Sequence, residues 1–203
     1  INFSKAFNSL NTYQKLAPIG AYMNGSFNTS LVMDGKMGQD MMPVMDKLNA
    51  QGFIHTIAGE IQEFQTLSAI DEKLGLNIFN GIQLKDTKNW FEVKDGSIEV
   101  NDFDISYKDI DLTIGGTHSL DQEIDYKIHT KIPSSMYDSG ITGSAVDAGY
   151  ALINKQAGKL GFEVEKAEYI NLAIKLSGKS TQPQVDVKLL GAGNPARTIP
   201  GSG

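Results

Sequence analysis

Three histidines, His55, His118 and His129, are the side chains of this sequence best suited to proton transfer or zinc ligation near neutral pH. Each lies on or beside a different expected strand, so a metal or catalytic centre would require the fold to gather them. The alternation of the flanking residues instead places His55 and His129 on the wet faces of their strands. Asp102, Asp104, Asp109 and Asp111 form an acidic cluster of the kind that could supply oxygen ligands to calcium. Strand alternation turns many of these carboxylates to solvent, which favours a solvated face over a metal cage. Gly178-Lys179-Ser180 approaches a phosphate-binding loop. It lacks the earlier glycine such a loop needs, and a strand rather than a helix is expected after it.

No G-x-S-x-G or H-E-x-x-H pattern occurs, and cysteine is absent, which removes thiol catalysis, disulfides and cysteine-type metal sites. These observations lead to the expectation that the chain is not an enzyme and carries no cofactor or metal. A formal net charge of -6, with Arg197 the one arginine, argues against a nucleic-acid partner. The 203 residues are 40% hydrophobic and 21% charged, which is ordinary globular usage. One domain over 1–190 is expected, with a Gly- and Pro-rich flexible tail over 191–203.

Six of the seven methionines fall between Met23 and Met45. Methionine fills irregular gaps and also lines surfaces that adapt to varied apolar partners. Core filling is the simpler reading, and the adaptable surface becomes the better one if a groove is present.

The elements that would position these residues are mainly strands. Alternation of apolar and polar residues predicts strands over 27–35, 53–61, 82–93, 96–106, 108–115, 122–132, 162–178 and 184–190. Asp95-Gly96 marks a tight hairpin in what reads as a meander. Four helical stretches are expected from apolar residues three or four apart. The first carries Phe3, Phe7, Leu10, Tyr13 and Leu16 and ends before Pro18. A short second runs from a cap at Asp40 through Pro43, Val44, Met45 and Leu48. The third holds Phe64, Leu67, Ile70 and Leu74. The fourth starts at Ser144, with Asp147 three residues on, and carries Val146, Tyr150, Ile153, Ala157 and Leu160. Four short helices are too few to cover eight one-sided strands. The remaining apolar face must be hidden by curling into a barrel or half-barrel, by a second sheet, or by a groove that another molecule fills.

Several segments resemble the C-terminal region of the AsmA family, bacterial envelope proteins related to TamB and other bridge-like proteins. Tyr13 to Leu31 looks like that family's helix leading into a Gly-x-Phe strand. Leu31 to Pro43 resembles its strand, Gly turn and Met-Pro step. Phe91 to Val100, with its Asp-Gly turn, precedes an Ile-x-Gly segment in Leu112-Thr-Ile-Gly-Gly, and Ile174 to Val185 resembles the closing Gly-then-Pro hairpin. The style of sequence is similar to Bacteroidota members.

The resemblance implies an α+β, mainly β domain: a strongly twisted antiparallel meander sheet curled into a groove or half-barrel with about four short flanking helices. It also implies a periplasmic location, an inner-membrane anchor upstream, and a noncatalytic role in outer-membrane biogenesis that binds or conducts phospholipid. The expected groove lining is Phe27, Leu31, Met33, Leu112, Ile114, Ile124, Tyr126, Ile128, Leu172 and Ile174. The alternative is a scaffold that contacts envelope proteins through its sheet edges and assists outer-membrane protein assembly without binding lipid.

Overall fold

A computed structural model of the chain describes residues 1–9, 14, 16–39, 41, 44–138, 144–161, 163–164 and 167–193. Leu10, Tyr13, Asp40, Pro43 and the tail beyond Gly193 lie outside them, as do the side chains of Ser144, Val146 and Asp147. Eight strands form one antiparallel sheet in sequence order: β1 (Met23–Asp34), β2 (Asn49–Ile61), β3 (Gln83–Lys94), β4 (Ser97–Tyr107), β5 (Ile110–Ser119), β6 (Glu123–Pro133), β7 (Tyr169–Lys179) and β8 (Gln182–Gly193). The helices are α1 (Phe3–Ser9), α2 (Gln65–Leu74), α3 (Ser135–Asp138) and α4 (Ser144–Leu160). Where a second helix is expected, the described residues show a 3₁₀ turn at Met45–Lys47, and another 3₁₀ turn at Pro18–Tyr22 opens on its proline.

Tight turns follow the residues that tolerate them. Asp95 and Gly96, with φ of 48° and 77°, join β3 to β4, the paired positive values a two-residue hairpin of this hand requires. Three longer connections interrupt the meander, and the two longest carry helices. Helix α2 bridges β2 and β3, while α4 lies between β6 and β7. Both settle on the same sheet face, where they contact each other and β8. Leu67, Ile70 and Leu74 of α2 and Ile153 and Ala157 of α4 are buried there with Ile132, Ile170, Leu172 and Leu189 of the sheet. Gly149 permits the helix crossing, because a Cβ at that position would sit 2.0 Å from the Leu74 carbonyl oxygen.

Helix α2 stops at Gly75, which adopts left-handed geometry. The buried Asp71 carboxylate then organises the loop by accepting the N–H groups of Ile78, Phe79 and Asn80 at 2.9–3.1 Å. Burial raises its pKa above the ordinary carboxylate value, and these three N–H donors oppose that rise.

The expectation of a sheet curled into a groove or half-barrel is overturned. The sheet is open, neither closed nor strongly curled, with β1 and β8 at its two edges. The physical reason is the convergence of the two longest connections on one face: α1, α2 and α4 cover much of the apolar surface, so curling is not needed to hide it.

Candidate functional site

Cross-strand pairing aligns the covered face in rows. One row runs Leu31, Gly52, Phe91, Val100, Gly116, Tyr126 and Leu176, and its neighbour runs through Thr29, Ile54 and Asn89 and then from Phe103 through Ile114 and Ile128 to Ile174. A bulge between Val100 and Phe103 shifts the phase of β4, so an odd and an even position share this face.

Two apolar clusters occupy the face. The larger lies under α1, α2 and α4; the smaller comprises Ala50, Val93 and Ile98, with Leu16 and Leu120 packed over it. At their margins Leu31, Phe91 and Val100 pack against the smaller cluster and Ile54, Phe103, Ile114 and Tyr126 against the larger, and all seven are partly buried. They form a continuous apolar band crossing β1 to β6, and no charged side chain lies in these two rows. Two glycines shape it. A Cβ on Gly52 would meet the Phe91 ring at 2.9 Å, and one on Gly116 would meet the Tyr126 ring at 3.0 Å. Each aromatic therefore lies over a glycine on the neighbouring strand, which keeps the band low.

All ten residues expected to line a groove share this face. Phe27, Leu112, Ile128, Leu172 and Ile174 are buried in the larger cluster. Leu31, Ile114, Ile124 and Tyr126 are half-buried, within or beside the band, and Met33 is exposed at the sheet edge. Sequence reasoning missed Ile54, Phe91, Val100 and Phe103. Ile54 and Phe91 each adjoin another apolar residue, Phe53 and Trp90, that points to the opposite face, and the β4 bulge hides the other two.

His118 closes one side of the band. Its Nε2 lies 2.7 Å from the Leu16 carbonyl, so it carries the hydrogen, and its Nδ1, 3.0 Å from the Tyr126 hydroxyl, accepts from that O–H. Burial lowers the His118 pKa and raises that of Tyr126, so both are neutral at physiological pH. The segment around Leu16 is thereby tied to the sheet through groups that bear no charge.

Apart from the Phe53–Trp90 pair, the opposite face carries ion pairs and polar contacts. Lys179 pairs with Glu123 at 2.9 Å, Lys175 with Asp125 at 3.6 Å, and Thr113 donates to Asp104 at 2.6 Å. His129 is exposed, and His55 lies 2.5 Å from Asp86. Asp111 accepts from Ser106. The three histidines are therefore not brought together, and among the described residues no group of three or more His, Asp or Glu could hold a metal ion. Among the same residues no helix is long and apolar enough to cross a membrane. No family model, curated protein or solved structure matches the chain.

Proposed function

We propose that this chain is a noncatalytic lipid-binding module that receives an acyl chain along the half-buried apolar band. One observation carries the reading: among the described residues, an uncharged strip of seven partly buried apolar side chains crosses six strands where the two clusters adjoin. Covering such a strip stabilises the complex by about 0.8 kcal/mol per buried methylene. Branched and aromatic side chains laid flat over glycines suit an extended hydrocarbon, while a polar headgroup would remain in solvent at the edge of the sheet.

The resemblance to AsmA-like envelope proteins supports the same reading. Four of its motifs fall on successive parts of the sheet: Gly25 and Phe27 in β1, Asp95-Gly96 at the β3–β4 turn, Ile114 to Gly116 in β5, and Gly178 with Pro183 at the last hairpin. In that setting the module works in the periplasm during outer-membrane biogenesis, takes phospholipid as its partner, and is joined to an inner-membrane anchor. A second reading, an interaction module without lipid, is favoured by the open edge of β1.

Native mass spectrometry of the protein purified from a Gram-negative host tests the proposal. Phospholipid is expected to copurify with the wild type and to be lost from Val100→Asp, whose folding is checked by circular dichroism. Lipid-free wild type after gentle extraction overturns it.

A further inference from the structure

The two edges of the sheet are treated differently. At β8 the free edge is capped from within: the Gln156 side chain of α4 donates Nε2–H to the Val187 carbonyl at 3.0 Å and accepts the Leu189 N–H at 2.8 Å. That strand also carries Asp186 and Lys188. Capping and charge are the usual devices that stop a sheet edge from recruiting another strand.

Strand β1 has them over only part of its length. Ile1 and Asn2 cover its start, where the Phe27 N–H reaches the Ile1 carbonyl at 2.8 Å. Because Phe27 turns its backbone groups away from β2, alternation turns those of Thr29, Leu31 and Met33 the same way. Among the described residues nothing pairs with them. From Met23 to Met33 the strand has no charged residue and no proline. Its neighbours Val32 and Met33 are 74% and 51% exposed.

We infer that this edge pairs antiparallel with the same edge of a second copy, with Leu31 on the two-fold axis. That register sets Thr29 opposite Met33, Leu31 opposite its own mate, and Asn28 opposite Asp34. All three outward-facing residues then exchange backbone hydrogen bonds with the partner, and no like charges meet. In a chain of net charge -6 the uncharged stretch is where two copies approach with least repulsion. The contact is isologous and closes as a dimer rather than growing into a fibre, because the Gln156 cap leaves β8 unavailable. Two sheets join into one, and the apolar bands of both copies meet at Leu31. The inference stands independently of lipid binding.

Light scattering coupled to size exclusion reads it directly. The wild type is expected at the mass of two chains. Val32→Lys adds charge to the edge, and Met33→Pro removes an outward N–H at a site an edge strand tolerates; both should give the mass of one chain. Leu190→Lys on β8 should leave the dimer intact. Because the chain has no cysteine, Leu31→Cys should form a disulfide with its own mate on mild oxidation, whereas Val32→Cys, offset from the axis, should not. This pair decides the register even if the charged or proline variant misfolds. A wild-type mass of one chain at every concentration, or a dimer in which Leu31→Cys does not cross-link, overturns the inference.

Discussion

His118 and Tyr126 stand on adjacent strands with imidazole Nδ1 3.0 Å from the phenol oxygen, and the same imidazole holds the Leu16 carbonyl through Nε2. A proton on Nδ1 would reverse that bond, making the Tyr126 oxygen the acceptor and taking from its O–H the acceptor it now has. The folded-state pKa lies below the ordinary 6.5, with burial as the first cause and the hydrogen bond to Leu16 opposing it.

Between the folded value and 6.5 the unfolded chain binds a proton that the folded chain does not, so stability from this site is complete above 6.5 and is lost as pH falls below it. Thermal unfolding followed across that range should show the melting temperature dropping with acidification. The His118→Gln variant, which retains a donor and an acceptor but does not titrate, should show a shallower drop. An equal pH dependence in both proteins would refute the assignment.

Gly149 gives a test with an unusual sign. In an exposed helix interior, Gly→Ala stabilises by about 1 kcal/mol through propensity. Here the added methyl would meet the Leu74 carbonyl at 2.0 Å, a backbone contact that cannot rotate away. Gly149→Ala should therefore destabilise, by about 1 to 3 kcal/mol in urea unfolding, as overpacked sites do. A stabilised variant would show that α2 and α4 do not cross this closely.

Much of the sheet is legible in the sequence because alternation is a local signal. Strand β6 shows it best: Ile124, Tyr126, Ile128, Thr130 and Ile132 face one way, while Glu123, Asp125, Lys127, His129 and Lys131 face the other. Alternation cannot choose a face where two apolar residues adjoin, as at Phe53-Ile54 and Trp90-Phe91, nor can it follow β4 through its bulge. The destination of a helix is less local still. The stripe Leu67, Ile70 and Leu74 shows that α2 is amphipathic, but only the tertiary fold decides that α2 and α4 land on one face. That choice keeps the sheet open where a groove or half-barrel was expected.

The methionines divide in the same way. Met23 is buried, whereas Met33, Met37 and Met41 are exposed near the end of β1, so neither core filling nor an adaptable surface describes them all. Trp90, the single tryptophan, packs against Phe53 on the face opposite the apolar band, with ring centroids 5.1 Å apart and the rings tilted by 46°. Its fluorescence is therefore a poor reporter of the band, and a probe on the band itself is needed.

Methyl-resolved NMR supplies that probe. Protein labelled at the Ile, Leu and Val methyls and titrated with lysophospholipid below its micelle concentration should shift the resonances of Leu31, Ile54, Val100 and Ile114 together. Those of Ile132, Ile170 and Leu172, under the helices, should stay in place. No shift along the band, or shifts confined to exposed residues such as Val32 and Ile57, would contradict the proposal that this strip of the sheet holds an acyl chain.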